Sequence, residues 1–350
     1  MTALLLFTTA VLIQKAGLIL VLFVITLGIA AYSTYGERKV AAFIQDRLGP
    51  DRAGPFGILQ PLADGVKMFT KEDFIPRDSN RLLFILGPGA FIFVALMTSA
   101  VIPWGTTLTA FGLNMDLQVT DVNIGILYVM GFVSLGVYGI MIGGWASNNK
   151  YSLFGAIRAS SQMISYELAM GLSIIAIVML TGTLSLRGIA EGQAATWFGF
   201  IPQWNVIMQP LGFLIFFVCA LAETNRAPFD LPECETELVG GYHTEYSAMK
   251  LGFYLFAEYI NMFISSAVIS TVYFGGYNFP GLSPDSLGGF MGPIILFAKV
   301  FFFIFVFMWI RWTLPRFRYD QLMHLGWKVL IPLAILNMVL TGGGMLAWGK

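Results

Sequence analysis

Acidic side chains are concentrated in one short part of this chain, the segment AETNRAPFDLPECETELVGGYHTEY. The whole chain of 350 residues has 20 Asp and Glu side chains. Six of them fall in this segment, between two strongly apolar stretches: Glu223, Asp230, Glu233, Glu235, Glu237 and Glu245. Charge at the edge of a bilayer costs free energy unless it is solvated, paired or protonated, so it commonly marks a route for ions or protons. We therefore predict that the acidic loop 223–250 is functional.

Three further carboxylates lie within or beside apolar stretches. Glu37 follows the first of these stretches, Glu167 lies inside SSQMISYELAMGLSIIAIVML, and Glu258 lies inside GFYLFAEYINMF. An ionised carboxylate at mid-membrane costs about 2.5–3.5 kcal/mol, so such groups face protein or water and often bind protons. Two interpretations stay open for each: a member of a proton path, or a carboxylate that only bonds neighbouring helices. Arg158 lies about 14 Å of helical rise from Glu167, too far to pair with it directly.

Composition places these residues in a membrane protein. Hydrophobic residues make up 57% of the chain, charged residues 11%, and mean hydropathy is +0.75, whereas soluble domains carry about 25% charged residues. We predict an all-α polytopic membrane protein. The net charge of zero gives no reason to expect a nucleic-acid partner. Cys219 and Cys234 are too few for an iron–sulfur cluster, and neither they nor His243 and His324 form a metal-ligand pattern.

The hydropathy pattern predicts eight transmembrane spans, near residues 11–34, 82–104, 122–143, 157–181, 206–222, 251–274, 293–312 and 327–347. Sixteen Lys and Arg side chains fall on the loops of one side, and two, Arg187 and Lys350, fall on the other. By the positive-inside rule, the long loops are cytoplasmic and both termini lie outside. A bacterial inner membrane is the expected location.

The first loop contains a short amphipathic pattern. In GPFGILQPLADGVKMFTKED, apolar side chains recur at steps of three or four, which predicts an interfacial helix near residues 55–72. Pro61 inside the pattern weakens the helical interpretation. From periodicity alone, a peripheral anchor and a functional lid are both compatible with this helix.

Four long strings carry a resemblance to one family. They are GERKVAAFIQDRLGPDRAGPFGILQPLADGVKMFTKED, YSLFGAIRASSQMISYELAMG, AETNRAPFDLPECETELVGGYHTEYSAMKLGFYLFAEY and RWTLPRFRYDQLMHLGWKVLIPL. In this order they resemble a membrane component of respiratory complex I, the H subunit of NADH–quinone oxidoreductase, also called NADH dehydrogenase subunit 1. The similarity covers about residues 35–332. Cys234 is a departure, because the family more often has a small residue there.

The resemblance implies an architecture and a set of partners. Spans two to six should resemble half of an antiporter-type bundle. The chain should lie beneath a peripheral arm whose other subunits hold FMN and iron–sulfur clusters, and beside small membrane subunits and antiporter-like subunits. It should form most of a chamber for quinone, either ubiquinone or menaquinone, and should bind no cofactor itself. Lipids are its remaining partner, and no activity is expected of the isolated chain.

The resemblance also implies roles for individual residues. The quinone chamber would be lined or gated by five of them: Glu37, Arg38, Asp64, Arg158 and Arg226. The proton path would contain seven: Glu167, Glu223, Asp230, Glu233, Glu235, Glu237 and Glu258. Quinone would reach the chamber between spans one and six and the amphipathic helix, and its reduction would reorder the 223–246 loop and drive proton translocation.

Two other functions are alternatives to the complex I interpretation. The first is the anchor subunit of a related membrane-bound hydrogenase or ferredoxin-linked complex, which has a similar plan. The RAPFDLPE string beside complete GERK and QPLAD segments favours the quinone-reducing branch. The second is a stand-alone proton- or sodium-coupled transporter. The chain shows no paired, Gly/Pro-broken spans in two symmetric halves, the pattern expected of such a transporter.

Overall fold

The computed structural model describes residues 2–110, 113–197, 201–231 and 238–348. Helices dominate these residues, so the prediction of an all-α polytopic membrane protein is confirmed. In chain order they are α1 (Thr2–Ile44), α2 (Gln60–Thr70), α3 (Arg81–Thr98), α4 (Gly125–Ala146), α5 (Lys150–Thr181), α6 (Leu186–Gly192), α7 (Asn205–Met208), α8 (Pro210–Glu223), α9 (Ala248–Tyr273), α10 (Met291–Thr313), α11 (Tyr319–His324) and α12 (Ile331–Trp348).

Seven helical segments in the described part of the chain are long and apolar enough to cross a membrane. They are α1, α3, α4, α5, α9, α10 and the continuous run of α11 and α12, which a π-helical stretch at Leu325–Leu330 joins. At the fifth predicted span lies α8, whose 14 residues reach only about 21 Å, less than the ~30 Å of a hydrocarbon core. The short helix α7 precedes it.

The amphipathic pattern of the first loop forms α2, which begins later than the predicted residue 55. A 3-10 turn occupies Pro55–Gly57, and the helix proper covers Gln60–Thr70. Pro61 lies in its first turn, where the missing amide hydrogen costs nothing. α2 packs against α1 and α9 and marks one end of the bundle, called here the α2 end.

Two small β-hairpins, which hydropathy does not predict, close the opposite end of the bundle. The strands β1 (Thr107–Ala110) and β2 (Leu113–Asp116) are antiparallel, with Thr107 opposite Asp116. The strands β3 (Thr196–Trp197) and β4 (Ile201–Pro202) form the second pair. The first pair lies between α3 and α4, and the second lies between the short helices α6 and α7.

The core is built on close contact between α3, α4 and α9. α3 packs along both α4 and α9, while α5 packs against α4, α8 and α12. Gly87 of α3 lies directly against Gly143 of α4, and the Tyr254 hydroxyl of α9 enters the space beside them and donates to the Gly139 carbonyl at 3.1 Å. Small residues allow this approach of backbones, as is usual between membrane helices.

This contact predicts that substitution by alanine destabilises the protein at one glycine of α4 and not at another. In Gly143→Ala, the added methyl group would collide with the Tyr254 hydroxyl oxygen. We expect this overpacking to destabilise the fold by about 1–3 kcal/mol and to lower the thermal midpoint of the purified complex. Gly131→Ala is the control, since a Cβ there has no neighbour within 4 Å. The double variant Gly143→Ala/Tyr254→Phe should recover part of the loss. Equal midpoints for both alanine variants would contradict this account.

Candidate functional site

A buried carboxylate with three partners forms the centre of the site. Glu37, near the end of α1, accepts from Arg226 Nη1 at 2.8 Å and from the Tyr259 hydroxyl at 2.9 Å on Oε2, while Arg311 Nη1 lies 2.5 Å from Oε1. The Arg226 guanidinium also lies over the Tyr259 ring, 3.9 Å from its centroid. These four residues are called here the Glu37 cluster. They come from α1, from the turn after α8, from α9 and from α10.

Two members of the Glu37 cluster, Glu37 and Arg226, are almost completely buried. Glu37 is 4% exposed and Arg226 is 2% exposed. Burial acts to lower the pKa of the Arg226 guanidinium, but Glu37, then Tyr259 and Glu258, raise it above the ordinary value, so Arg226 stays charged. Its Nε and Nη2 atoms have no hydrogen-bond partner among the described residues. Buried donors of this kind are costly in a core, and a functional role is one of the explanations for their presence.

A cavity lies beside the Glu37 cluster, between α1, α2 and α9. It has a volume of about 190 Å³, and its walls include Thr34, Arg38, Asp64, Met68, Phe256 and Tyr259. Arg38 Nη1 pairs with Asp64 Oδ2 at 2.9 Å across it, and both side chains are partly exposed. We call it the lateral cavity. Its three helices correspond to spans one and six and the amphipathic helix.

Tyr259 connects the lateral cavity to the buried charges. Its side chain forms part of the cavity wall. Its hydroxyl donates to Glu37, and the Arg226 guanidinium lies over its ring in a cation–π contact. A ligand in the lateral cavity would therefore contact a residue that touches two members of the cluster. Sequence reasoning missed both Tyr259 and Arg311. The one local signal for Arg311 is its position as the first cation after the apolar run of α10.

Glu258 of α9 is a second carboxylate that interacts with Arg226. It is 5% exposed, accepts from the Tyr242 hydroxyl at 3.0 Å, and interacts electrostatically with Arg226. Arg226 thus interacts with both Glu37 and Glu258. The structure therefore brings together three of the predicted residues. Glu37 and Arg226 were assigned to the quinone chamber, and Glu258 was assigned to the proton path.

Two more predicted carboxylates, Glu167 and Glu223, lie close enough to interact electrostatically. The Ser134 hydroxyl of α4 donates a hydrogen bond to Glu167 Oε1 of α5, and Glu167 interacts electrostatically with Glu223 at the end of α8. Glu223 also lines a small cavity of about 30 Å³ together with the polar side chains of Asn261 and Ser265. A cavity of this size has room for a water molecule.

The remaining predicted residues lie at the α2 end. The Arg158 guanidinium lies over the Tyr319 ring, 5.9 Å from its centroid. Asp230 Oδ2 pairs with Arg316 Nη2 at 2.6 Å, and Glu245 Oε1 accepts from Asn149 at 2.6 Å. The other three predicted residues of the acidic loop, Glu233, Glu235 and Glu237, lie outside the described residues.

The turn that carries Arg226 is held by a buried glutamine of α5. Gln162 Nε2 donates to the carbonyls of Ala222 and Phe229, at 2.7 and 2.8 Å, and its side chain is fully buried. These two bonds fix the chain on both sides of Arg226. The side chain of Arg226 is therefore aimed at Glu37 by a residue that does not itself belong to the cluster.

We expect Gln162→Leu to loosen this turn. The substitution removes the donor to the Phe229 carbonyl, and such a loss costs about 1–3 kcal/mol. The Ala222 carbonyl keeps a second donor, the Asn225 backbone N–H at 3.3 Å. Both the thermal midpoint and the turnover of the purified complex should fall. Ser161→Ala is the matched control, because Ser161 is only partly buried and its hydroxyl donates within its own helix, to the Ile157 carbonyl. An unchanged turnover in Gln162→Leu would show that Arg226 is positioned without this clamp.

The fold and site define a polytopic membrane protein with an internal ionic site beside a lateral cavity. A sequence model of the family described as NADH dehydrogenase matches residues 16–342. The chain is 62% identical over 340 residues to an H subunit of NADH-quinone oxidoreductase from Cytophaga hutchinsonii, covering 96% of this chain and 97% of the relative. It is 60% identical over 344 residues to the H subunit of NADH-quinone oxidoreductase from Flavobacterium johnsoniae, covering 97% of each.

A more distant relative gives the same result. The H subunit of NADH-quinone oxidoreductase from Thermomicrobium roseum is 50% identical over 325 residues, which are 92% of this chain and 93% of the relative. The chain belongs to the family of H subunits of NADH-quinone oxidoreductase. The resemblance that the motif strings predict is confirmed.

Proposed function

We propose that this chain, as a membrane subunit of NADH-quinone oxidoreductase, forms the quinone chamber and couples quinone reduction to proton translocation. The observation that carries the proposal is the lateral cavity with Tyr259 as its inner wall. Quinone would pass from the bilayer between α1, α2 and α9, and its headgroup would meet Arg38, Asp64 and Tyr259. α2 would then be part of the chamber, in addition to anchoring the chain at the interface.

The Glu37 cluster would sense the redox state of the quinone. Reduction brings negative charge into a poorly solvated space, where charges interact several times more strongly than in water. A change at Tyr259 would act on Glu37 and Arg226, which both contact it. Because Arg226 also interacts with Glu258, the change would reach a carboxylate on the next part of the path.

The proton path would continue from Glu258 to Glu223 and Glu167. Glu223 and Glu167 influence one another electrostatically, so protonation of one would favour ionisation of the other. Asp230 and the three glutamates at 233, 235 and 237 would form the acidic loop below the chamber. Arg158 would belong to the charged lining at its edge.

The rest of the complex would supply the redox chemistry. FMN and iron–sulfur clusters would be held by peripheral-arm subunits, which would dock at the α2 end. Small membrane subunits and antiporter-like subunits would continue the proton path along the membrane arm. With the positive-inside distribution of Lys and Arg, the α2 end would face the cytoplasm of a bacterial inner membrane.

The alternative assignment is the anchor subunit of a hydrogenase or ferredoxin-linked complex. The names of the relatives, which match over nearly the full chain, favour the quinone-reducing complex. Purification of the complex separates the two: flavin and iron–sulfur subunits accompany the chain in the first case, and a nickel–iron subunit in the second.

The quinone proposal is tested by filling the lateral cavity with Gly65→Phe. Gly65 lines the cavity, and a Cβ there has no neighbour within 4 Å, so the ring should occupy the cavity without disturbing the fold. We expect the KM for a short-chain quinone to rise at least about tenfold, equivalent to ~1.4 kcal/mol of binding. NADH oxidation by a water-soluble acceptor in the same preparation should be unchanged.

The control for the cavity test is Gly89→Phe on α3, where a Cβ also has open space but does not line the lateral cavity. It should leave the KM for quinone close to the wild-type value. A normal KM in assembled Gly65→Phe complex would place quinone elsewhere and overturn the proposal.

A further inference from the structure

A second cavity of the molecule is an apolar groove on the outer face, between α1 and α10. It has a volume of about 450 Å³ and is separate from the lateral cavity. Its lining on α1 combines three small residues, Gly28, Ser33 and Gly36, with two large ones, and its lining on α10 consists of large residues such as Phe301, Phe305 and Met308. We call it the α1–α10 groove.

The α1–α10 groove ends at a cation. Arg311 lies one turn beyond Met308 on α10, at the α2 end of the groove, and Glu37 directly follows Gly36. The Arg311 side chain is 25% exposed, whereas Arg226, the other cation on Glu37, is almost completely buried. Glu37 is shared by two guanidinium groups, and Arg311 is the one of the two that reaches the surface.

The level of Arg311 in the membrane is given by its neighbours. Trp309 and Trp312 are both strongly exposed, and exposed tryptophans at a helix end mark the headgroup region. The groove runs about 12 Å from Gly28 to Gly36, which is most of one leaflet of a ~30 Å hydrocarbon core. Its apolar part is therefore at the depth of acyl chains and Arg311 is at the depth of phosphate groups.

We propose that the α1–α10 groove binds an anionic phospholipid, with an acyl chain between the two helices and the headgroup phosphate on Arg311. Charge complementarity favours this occupant over an apolar helix of another subunit, because Arg311 contacts Glu37 through Nη1 but keeps a side chain that is 25% exposed at the rim. A headgroup phosphate offers an acceptor to that exposed part of the guanidinium, and an apolar helix does not. Basic pockets between membrane helices are typical sites for such lipids.

The site has a consequence for the Glu37 cluster. A phosphate on Arg311 competes with Glu37 for the same guanidinium, and so it weakens one of the two ionic contacts of the buried carboxylate. Bound lipid thereby alters the charge balance at Glu37 from the membrane side. The lipid site itself does not depend on what occupies the lateral cavity.

The test is the phospholipid content of the purified complex, measured by native mass spectrometry and by phosphorus analysis. Gly28→Phe fills the groove, and a Cβ at Gly28 has no neighbour within 4 Å. We expect this complex to retain one anionic phospholipid fewer than the wild type. The matched control is Gly17→Phe, on the same helix, equally free of neighbours and outside the groove. It should keep the wild-type lipid content.

A second test asks whether Arg311 selects the anionic headgroup, as distinct from the groove accommodating an acyl chain. In vesicles that mix phosphatidylglycerol and phosphatidylcholine, spin-labelled lipids report the preference of the protein for the anionic headgroup. Arg311→Gln should lower that preference about fivefold, the effect of one cation near a membrane surface, while Gly17→Phe should not change it. If Gly28→Phe fails to assemble, Phe305→Trp fills the groove from the α10 side and is measured in the same way.

Three results would overturn the proposal. The first is equal lipid content in the Gly28→Phe and Gly17→Phe complexes. The second is loss of bound quinone in place of phospholipid from Gly28→Phe, which would assign the groove to a quinone tail. The third is an efficient cross-link from a photoreactive side chain at position 28 to a helix of a neighbouring subunit.

Discussion

Arg226→Met is expected to reduce quinone turnover at least about tenfold and to lower the stability of the assembled complex. The substitution removes one of the two guanidinium groups on Glu37 and the cation over Tyr259. Removing one partner of a buried ion pair typically costs about 3–5 kcal/mol, because the other charge is left without compensation. Arg311 still contacts Glu37, so we expect a loss near the lower end. Turnover and thermal midpoint are measured on the purified complex.

A double variant tests whether the stranded charge is the cause. Glu37→Gln/Arg226→Met removes both members of the pair, so it should recover stability relative to the sum of the single variants, without recovering turnover. Arg47→Met is the control, since Arg47 is exposed and bonds only Gln45 nearby. If the two single losses add to within about 0.5 kcal/mol, the residues act independently and the cluster is not a unit.

Glu167→Gln is expected to lower NADH–quinone turnover and proton pumping together, each by more than about tenfold. Glutamine keeps the size of the side chain and can still accept from Ser134, but it cannot bind and release a proton. Groups that transfer protons commonly contribute about 10²–10⁴ in rate. Membrane vesicles that contain the assembled variant allow both quantities to be measured in one preparation.

Two companion variants make the Glu167 result specific. Ser134→Ala removes the donor to Glu167 while keeping the carboxylate, so it should cause a smaller loss. Glu191→Gln changes an exposed carboxylate at the opposite end of the bundle and should leave both activities intact. If turnover and pumping persist in Glu167→Gln, then Glu167 is a structural carboxylate and the path must depend on Glu223 and Glu258.

Much of the architecture was predictable because it depends on local properties of the chain. Apolar runs long enough to cross a bilayer identify the long helices directly, and the 3.6-residue pattern identifies α2. The start of α2 was misplaced because Pro55 is also a helix-starting residue, whereas here it begins a separate 3-10 turn. The hairpins at the opposite end are two to four residues per strand, too short for a pattern to be recognised.

The site was predictable only in part because its contacts join distant parts of the chain. Carboxylates inside apolar runs stand out by type, so Glu37, Glu167 and Glu258 could be found. Arg311 and Tyr259 have no such signal, since an arginine at a helix end and a tyrosine in a membrane helix are common. Their roles come from the packing of α9 and α10 against α1, which no local pattern reports.

The ionic contacts of Glu37 also constrain how the chain can be inserted and matured. Its two guanidinium partners come from points far along the sequence, with Arg226 lying 189 residues after Glu37 and Arg311 farther still. During synthesis, the Glu37 carboxylate at the end of α1 therefore lacks both guanidinium partners until the turn after α8, and then α10, have been made. A chain that stops before α10 leaves Glu37 with one guanidinium in place of two. Quality-control proteases that recognise an incompletely paired carboxylate at the end of a membrane helix would have a direct means of separating unfinished chains from complete ones.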